Sequence, residues 1–146
     1  MDQAIETFIQ GKRIAFVGVS RNPKKFGYSA YQELKARGYQ VFPVNPAAQD
    51  IDGDRCYPSL EALNEKVDGV LVAVPPREAA KILREASRAG IRNVWLQQQS
   101  ESPEALAAAE ELGLSLISKK CILMYAPPVR SFHGLHRFFV KLVGQL

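Results

Sequence analysis

Ile14-Ala-Phe-Val-Gly-Val-Ser20, followed by Arg21-Asn-Pro-Lys-Lys-Phe-Gly27, is an apolar, β-rich run that ends on a glycine and opens into a basic turn. A strand apolar on both faces has to be covered on both sides, which is the situation of a strand in a parallel sheet. The signal recurs along the chain. Further apolar runs occupy 41–44, 70–74, 94–96 and 114–117, with helical patterns between them. One pattern, at 29–37, carries Ala30 and Leu34 and stops at Gly38; another, at 76–89, carries Ala79, Ala80, Ile82, Leu83 and Ala86 and stops at Gly90. A third takes Ser102 as its N-cap and Pro103 in its first turn, runs through Leu106 and Leu112, and stops at Gly113. In each case the glycine suits the left-handed residue that ends a helix.

Alternating strand, helix, glycine and strand predicts an α/β fold. The expected architecture is a Rossmann-like, doubly wound, mostly parallel sheet of five to six strands with helices on both faces. Residues 55–57 read as a brief strand on the sheet edge, 47–54 as the loop before it, and Pro58 and Ser59 as the start of a short helix over 60–63. The chain reads as one domain over 1–146, with 122–146 as an extension. Within that extension Pro127 and Pro128 interrupt regular structure. Phe132, Leu135, Phe138, Phe139, Leu142, Val143 and Leu146 then recur at helical spacing, which predicts an amphipathic basic helix packed on its own domain. A homodimer contact, a partner protein and a membrane surface are the other uses of such a helix.

Nineteen basic and fifteen acidic residues leave a formal charge of +4, concentrated around Lys24 and Lys25 and in the last thirty residues. That distribution suits a small anionic ligand and lacks the continuous basic stripe of a nucleic-acid binder. The two cysteines, Cys56 and Cys121, form neither a disulfide framework nor a metal-ligand cluster, so a reduced, cytoplasmic setting is expected. Residues 1–10 hold two acids and no signal-peptide run, and no apolar stretch approaches a bilayer span; neither export nor a membrane location is expected.

In an open parallel sheet, ligands sit beyond the carboxyl ends of the strands, where the strand order reverses. The turn at 18–27 lies at such an end. Gly18 admits close approach of a ligand to the backbone, Ser20 brings a hydroxyl, and Gly27 precedes a helix whose free amides attract anions. Arg21, Lys24 and Lys25 add positive charge. The turn matches neither GxGxxG nor GxxxxGK[ST], and an ordinary strand-to-helix turn with solvated cations is its plainer reading. The other loops at this end are Asn45-Pro46, Pro75-Pro76 and Gln97-Gln98-Gln99. No Asp or Glu closes the second strand to accept a ribose hydroxyl, which argues against NAD but leaves NADP open. Pro75-Pro76 reads equally as an apolar ledge for a base and as a helix start.

At these residues the chain resembles the CoA-binding domain family of small bacterial and archaeal proteins. That family is itself similar to the nucleotide-binding domain of the succinyl-CoA synthetase α subunit. The resemblance covers about 12–121 and rests on six ordered blocks: Ile14-Ala-Phe-Val-Gly-Val-Ser20 with Gly27, Gly38-Tyr-Gln-Val-Phe-Pro-Val-Asn-Pro46, Cys56-Tyr-Pro-Ser-Leu60, Val72-Ala-Val-Pro-Pro76, Val94-Trp-Leu-Gln97 and Cys121. It implies that Gly18, Val19 and Ser20 contact the diphosphate of coenzyme A or an acyl-CoA. Asn45 and Pro46 would border the adenosine half, Val74, Pro75 and Pro76 would flank the nucleotide, and Gln97 would face the pantetheine end. Ala47-Ala48-Gln49 departs from relatives that carry a basic residue there, which leaves Arg21, Lys24 and Lys25 as partners for the 3′-phosphate.

The phosphorylatable histidine and nucleotide-activating domain of the synthetases lie outside the matched part. His133 and His136 stand at i, i+3 in the terminal segment without further ligands nearby, so no metal site is expected. Cys121, after the last strand, is a candidate for thiol exchange with CoA, against the plainer reading of a packed cysteine. No general base stands at the loop tips, apart from Glu78 one turn into a helix. The expectation is therefore a CoA-binding, nucleotide-binding module without evident catalytic machinery. An NADP-dependent or acyl-CoA ligase-like enzyme and a protein-interaction domain that keeps only the fold are the alternatives.

Overall fold

Each of the five apolar runs becomes a strand of one parallel sheet. The structure, a computed structural model, describes residues 2–47, 49–63 and 66–127. The expected terminal helix, with Phe132 and Leu135 through Leu146, and the two histidines His133 and His136 lie outside the described residues. The chain runs α1 (Gln3–Gln10), β1 (Arg13–Val17), α2 (Phe26–Ala36), β2 (Gln40–Val44), β3 (Asp50–Ile51), β4 (Asp54–Arg55), a short 3-10 turn (Leu60–Leu63), β5 (Gly69–Val72), α3 (Pro76–Arg88), β6 (Asn93–Gln97), α4 (Pro103–Leu112) and β7 (Ser115–Lys120). The sheet order is β2-β1-β5-β6-β7, with every pairing parallel. The chain builds outward from β1 to β2 and then returns to β5 on the other side of β1. The Rossmann-like architecture thus places a topological switch point between β1 and β5.

Side-chain alternation divides the core in two. Phe16, Leu71, Trp95 and Ile117 point to one face, where α1 and α2 supply Ile5, Phe8, Tyr31 and Leu34. Ala15, Val17, Val70, Val72, Val94 and Leu96 point to the other, under Ala79, Leu83 and Ala86 of α3 and Ala105 and Ala109 of α4. Ser102 accepts a hydrogen bond from the Ala105 amide at 3.0 Å, as an N-cap should, and Gly113 ends α4 at φ +69°.

Several elements differ from the sequence expectation. Residues 3–10 form α1, capped by Asp2, whose carboxylate accepts from the Ala4 amide. Phe8 of this helix meets Trp95 edge to face, with centroids 5.4 Å apart. Helix α2 begins at Phe26, three residues before the predicted start, because Lys25 already has the extended backbone of an N-cap. The expected edge strand at 55–57 is instead an antiparallel hairpin, β3 with β4, turned by Asp52 and Gly53, both at positive φ. Only a bridge from Tyr57 to Val44 ties that segment to the main sheet, which has five strands.

Arg37, at the end of α2, is buried with Glu33 in an ion pair of 2.8 Å. Its Nη1 donates to the carbonyls of Leu123 and Ala126, so the segment after β7 is fastened to α2. Among the described residues no helix is long and apolar enough to cross a membrane.

Candidate functional site

The turn after β1 is shaped by two glycines that have no room for a side chain. At Gly18, φ is +112° and a Cβ would stand 2.0 Å from the Ala73 carbonyl oxygen. At Gly27 a Cβ would stand 2.2 Å from the carbonyl oxygen of Gly18. The loop leaving β1 is therefore pressed against the loop leaving β5 on one side and the first turn of α2 on the other. A hydrogen bond from the Ala73 amide to the Val17 carbonyl, 2.9 Å, fixes the first of these contacts.

Between the glycines the turn is braced by its own side chains. Ser20 Oγ accepts from the Asn22 amide at 3.0 Å, and Asn22 Oδ1 accepts from the Lys24 amide at 2.9 Å. An accepting hydroxyl keeps its proton to give to a ligand. No side chain among the described residues caps α2 or α3. Two positive helix ends are thus left open beside the switch point.

Two cavities open there and share Gly18, Ala73, Val74 and Pro75. The first, about 400 Å³, lies over the first turn of α2 and is lined by Ser20, Lys25, Gly27, Pro76 and Gln99 besides the shared residues. Among the described residues its one charged lining group is Lys25. The second, about 480 Å³, reaches toward β2 and is lined by Val19, Asn45, Pro46, Pro58 and Ser59, with Glu78, Lys81, Ile82 and Glu85 on α3. Asn45 Oδ1 accepts from the Ala47 amide at 2.9 Å, which holds the Asn-Pro corner as an Asx turn. A third hollow, about 530 Å³, runs beside the edge strand β2 and the carboxyl end of α2, away from the switch point, and is lined by Lys35, Asp54 and Arg55 among others.

The crevice therefore gathers Gly18, Val19, Ser20, Lys25, Gly27, Asn45, Pro46, Val74, Pro75 and Pro76. Arg21, Lys24 and Gln97 line neither cavity. Arg21 Nε donates to the Asp50 carbonyl at 3.2 Å, which ties the turn to the β3–β4 hairpin, and Lys24 is exposed. Gln97 is fully buried: alternation sends it to the same face as Trp95, where Oε1 accepts from the Ile122 amide at 3.1 Å. Cys121 is packed in that same core. Burial pushes its thiol up, against the opposing pull of the Gln97 amide and the amides of Leu123 and Met124.

Sequence reading missed the contribution of α3. Glu78, Ile82 and Glu85 recur at helical spacing, which signals one face but not that the face borders a cavity. Ser100 was also invisible as a site element. It is buried, and its Oγ accepts from the Val74 amide at 3.1 Å, holding the Val74-Pro75 ledge in place.

The alpha subunit of an ADP-forming acetate–CoA ligase II from Pyrococcus furiosus is 26% identical over 129 residues, covering 81% of this chain and 28% of the subunit. The chain thus spans less than a third of that ligase subunit. An uncharacterized Bacillus subtilis protein is 27% identical over 117 residues, covering 80% of this chain and 87% of that protein. Among solved structures, a conserved hypothetical protein from Pyrococcus furiosus superposes with a TM-score of 0.74 at 36% identity, over 76% of this chain and 96% of that one. Residues 12–127 match the CoA binding domain, and the chain belongs to that family.

Proposed function

We propose that the chain binds coenzyme A across the β1/β5 switch point and serves as a module that holds the cofactor. The diphosphate sits on the amides of Gly18, Val19 and Ser20 and at the amino end of α2, with Lys25 as its cation. The adenosine half lies toward Asn45 and Pro46, and Pro75 with Pro76 forms the apolar ledge beneath the nucleotide. A CoA-holding role places the chain in the reduced, cytoplasmic setting that its two free cysteines suit.

The observation that carries this reading is the junction of the two cavities at Gly18. There the strand exit, the uncapped helix and the second cavity come together on shared lining residues, Gly18, Ala73, Val74 and Pro75. Its support from relatives is the family match over 12–127 and the CoA ligases in which the matched stretch is a minor part.

Isothermal titration calorimetry against CoA, acetyl-CoA, NAD, NADP and ATP tests it. Saturable binding of CoA or acetyl-CoA, tighter than that of either nicotinamide dinucleotide, is the expected result. Preference for NADP, or no heat with any CoA species, overturns the proposal.

A further inference from the structure

Gln99 occupies a backbone position that glutamine disfavours. It follows β6 in the turn closed by the Ser100 amide on the Gln97 carbonyl, 2.9 Å, and has φ +74°, a conformation that glycine adopts freely at the third position of a type II turn. The strain is held from outside. Glu101 Oε1 accepts from the Gln99 amide at 3.1 Å, and Oε2 accepts from the amide of Lys119, itself at φ +63°, at 2.9 Å. One carboxylate thus clamps two left-handed residues on neighbouring strand ends, beside the register shift between β6 and β7. A turn this constrained fixes the direction in which the Cα–Cβ bond leaves the backbone. The Gln99 side chain is exposed and lines the cavity that also holds Ser20 and Lys25.

We infer that Gln99 recognises the amide-bearing arm of the ligand, and that Glu101 is the positioning residue that aims it; the inference rests on the CoA reading of the crevice. Sheet order supplies the direction. From β2 through β1 to β6 the crevice offers the Asn-Pro corner, then the amides and Lys25, and on its far side Gln99. Coenzyme A has the same linear order: nucleoside, diphosphate, then an arm with two amide groups. A glutamine amide, with both donors and an acceptor, complements such groups and offers no charge to a phosphate.

The test compares CoA with 3′-phosphoadenosine 5′-diphosphate, which keeps the nucleoside and diphosphate and lacks the arm, by calorimetry on the unaltered protein and on Gln99→Gly, Gln99→Leu and Glu101→Ala. Gln99→Gly relaxes the turn and should melt no lower than the unaltered protein, while Gln99→Leu keeps side-chain bulk without the amide. The expected result is a loss of about fivefold or more in CoA affinity for both Gln99 variants, with the affinity for 3′-phosphoadenosine 5′-diphosphate within about twofold. Glu101→Ala should weaken CoA binding too, and that loss should disappear in a Gln99→Gly background. Unchanged CoA affinity in either Gln99 variant, or equal losses for both ligands, overturns the inference. Failure of the unaltered protein to bind CoA instead removes the functional reading on which it stands.

Discussion

Gly18 and Gly27 decide the site because backbone, not side chain, fills the space around them. Replacing Gly18 by Ala puts a methyl group into the Ala73 carbonyl and forces a φ of +112° on a residue that resists it. The expected cost is at least about 2 kcal/mol, read from denaturant unfolding, together with weaker CoA binding. The cations divide as their positions dictate. Lys25 lines the cavity and Lys24 does not, so Lys25→Glu should weaken CoA binding by about tenfold or more, and Lys24→Glu by only about twofold through long-range charge. Equal losses in a titration would show that the phosphate lies elsewhere. At this scale the sequence was informative about residue type and less so about direction. The glycines and the Ser20 turn were legible because their chemistry is local. The resemblance pointed to Gln97 for the pantetheine end, whereas the strand's alternation buries Gln97 and the turn after β6 brings Gln99 to the cavity.

Among the elements, α2 sets its first turn beside the crevice, and it is held by ion pairs as well as by its buried apolar face. Lys35 and Tyr31 hold the Asp54 carboxyl below its ordinary value of 3.8, and Arg13, the first residue of β1, does the same for Asp68, just before β5. A carboxylate whose pKa is depressed by folding contributes stability above the ordinary carboxylate range and loses it as pH falls through the lowered folded-state value. Both pairs are more than a third open to solvent, so each contributes only weakly. The urea midpoint should hold steady from neutral pH down to about pH 5 and fall below about pH 4, and Asp54→Asn or Asp68→Asn should flatten that fall. An unchanged acid limb in both variants would contradict the assignment. The strands and α2 to α4 were readable from periodicity because burial on two faces leaves long apolar runs. Helix α1 was not, because Ile5, Phe8 and Ile9 fit a short stretch that gains its stability from Trp95 and Gly69, far along the chain. The hairpin turned by Asp52 and Gly53 was passed over for the opposite reason: each strand is only two residues long.

At the scale of the whole molecule, one topological fact organises the rest. The reversal of build direction at β1 leaves a crevice between β1 and β5, and both cavities meet on it. Strand order was inferable from the strand-helix alternation together with short connections, but the tilt of α3 over the second cavity depended on packing that no local pattern encodes. The central claim is that the amides between β1 and α2 receive the diphosphate of coenzyme A. Its most direct test follows the backbone amide resonances of 15N-labelled protein during titration with CoA. The account predicts that Gly18, Val19, Ser20 and Gly27 shift together and saturate at one ligand per chain. CoA binding that leaves those four resonances in place, with shifts confined to the hollow beside β2 at Gln40, Val41 and Phe42, would contradict it.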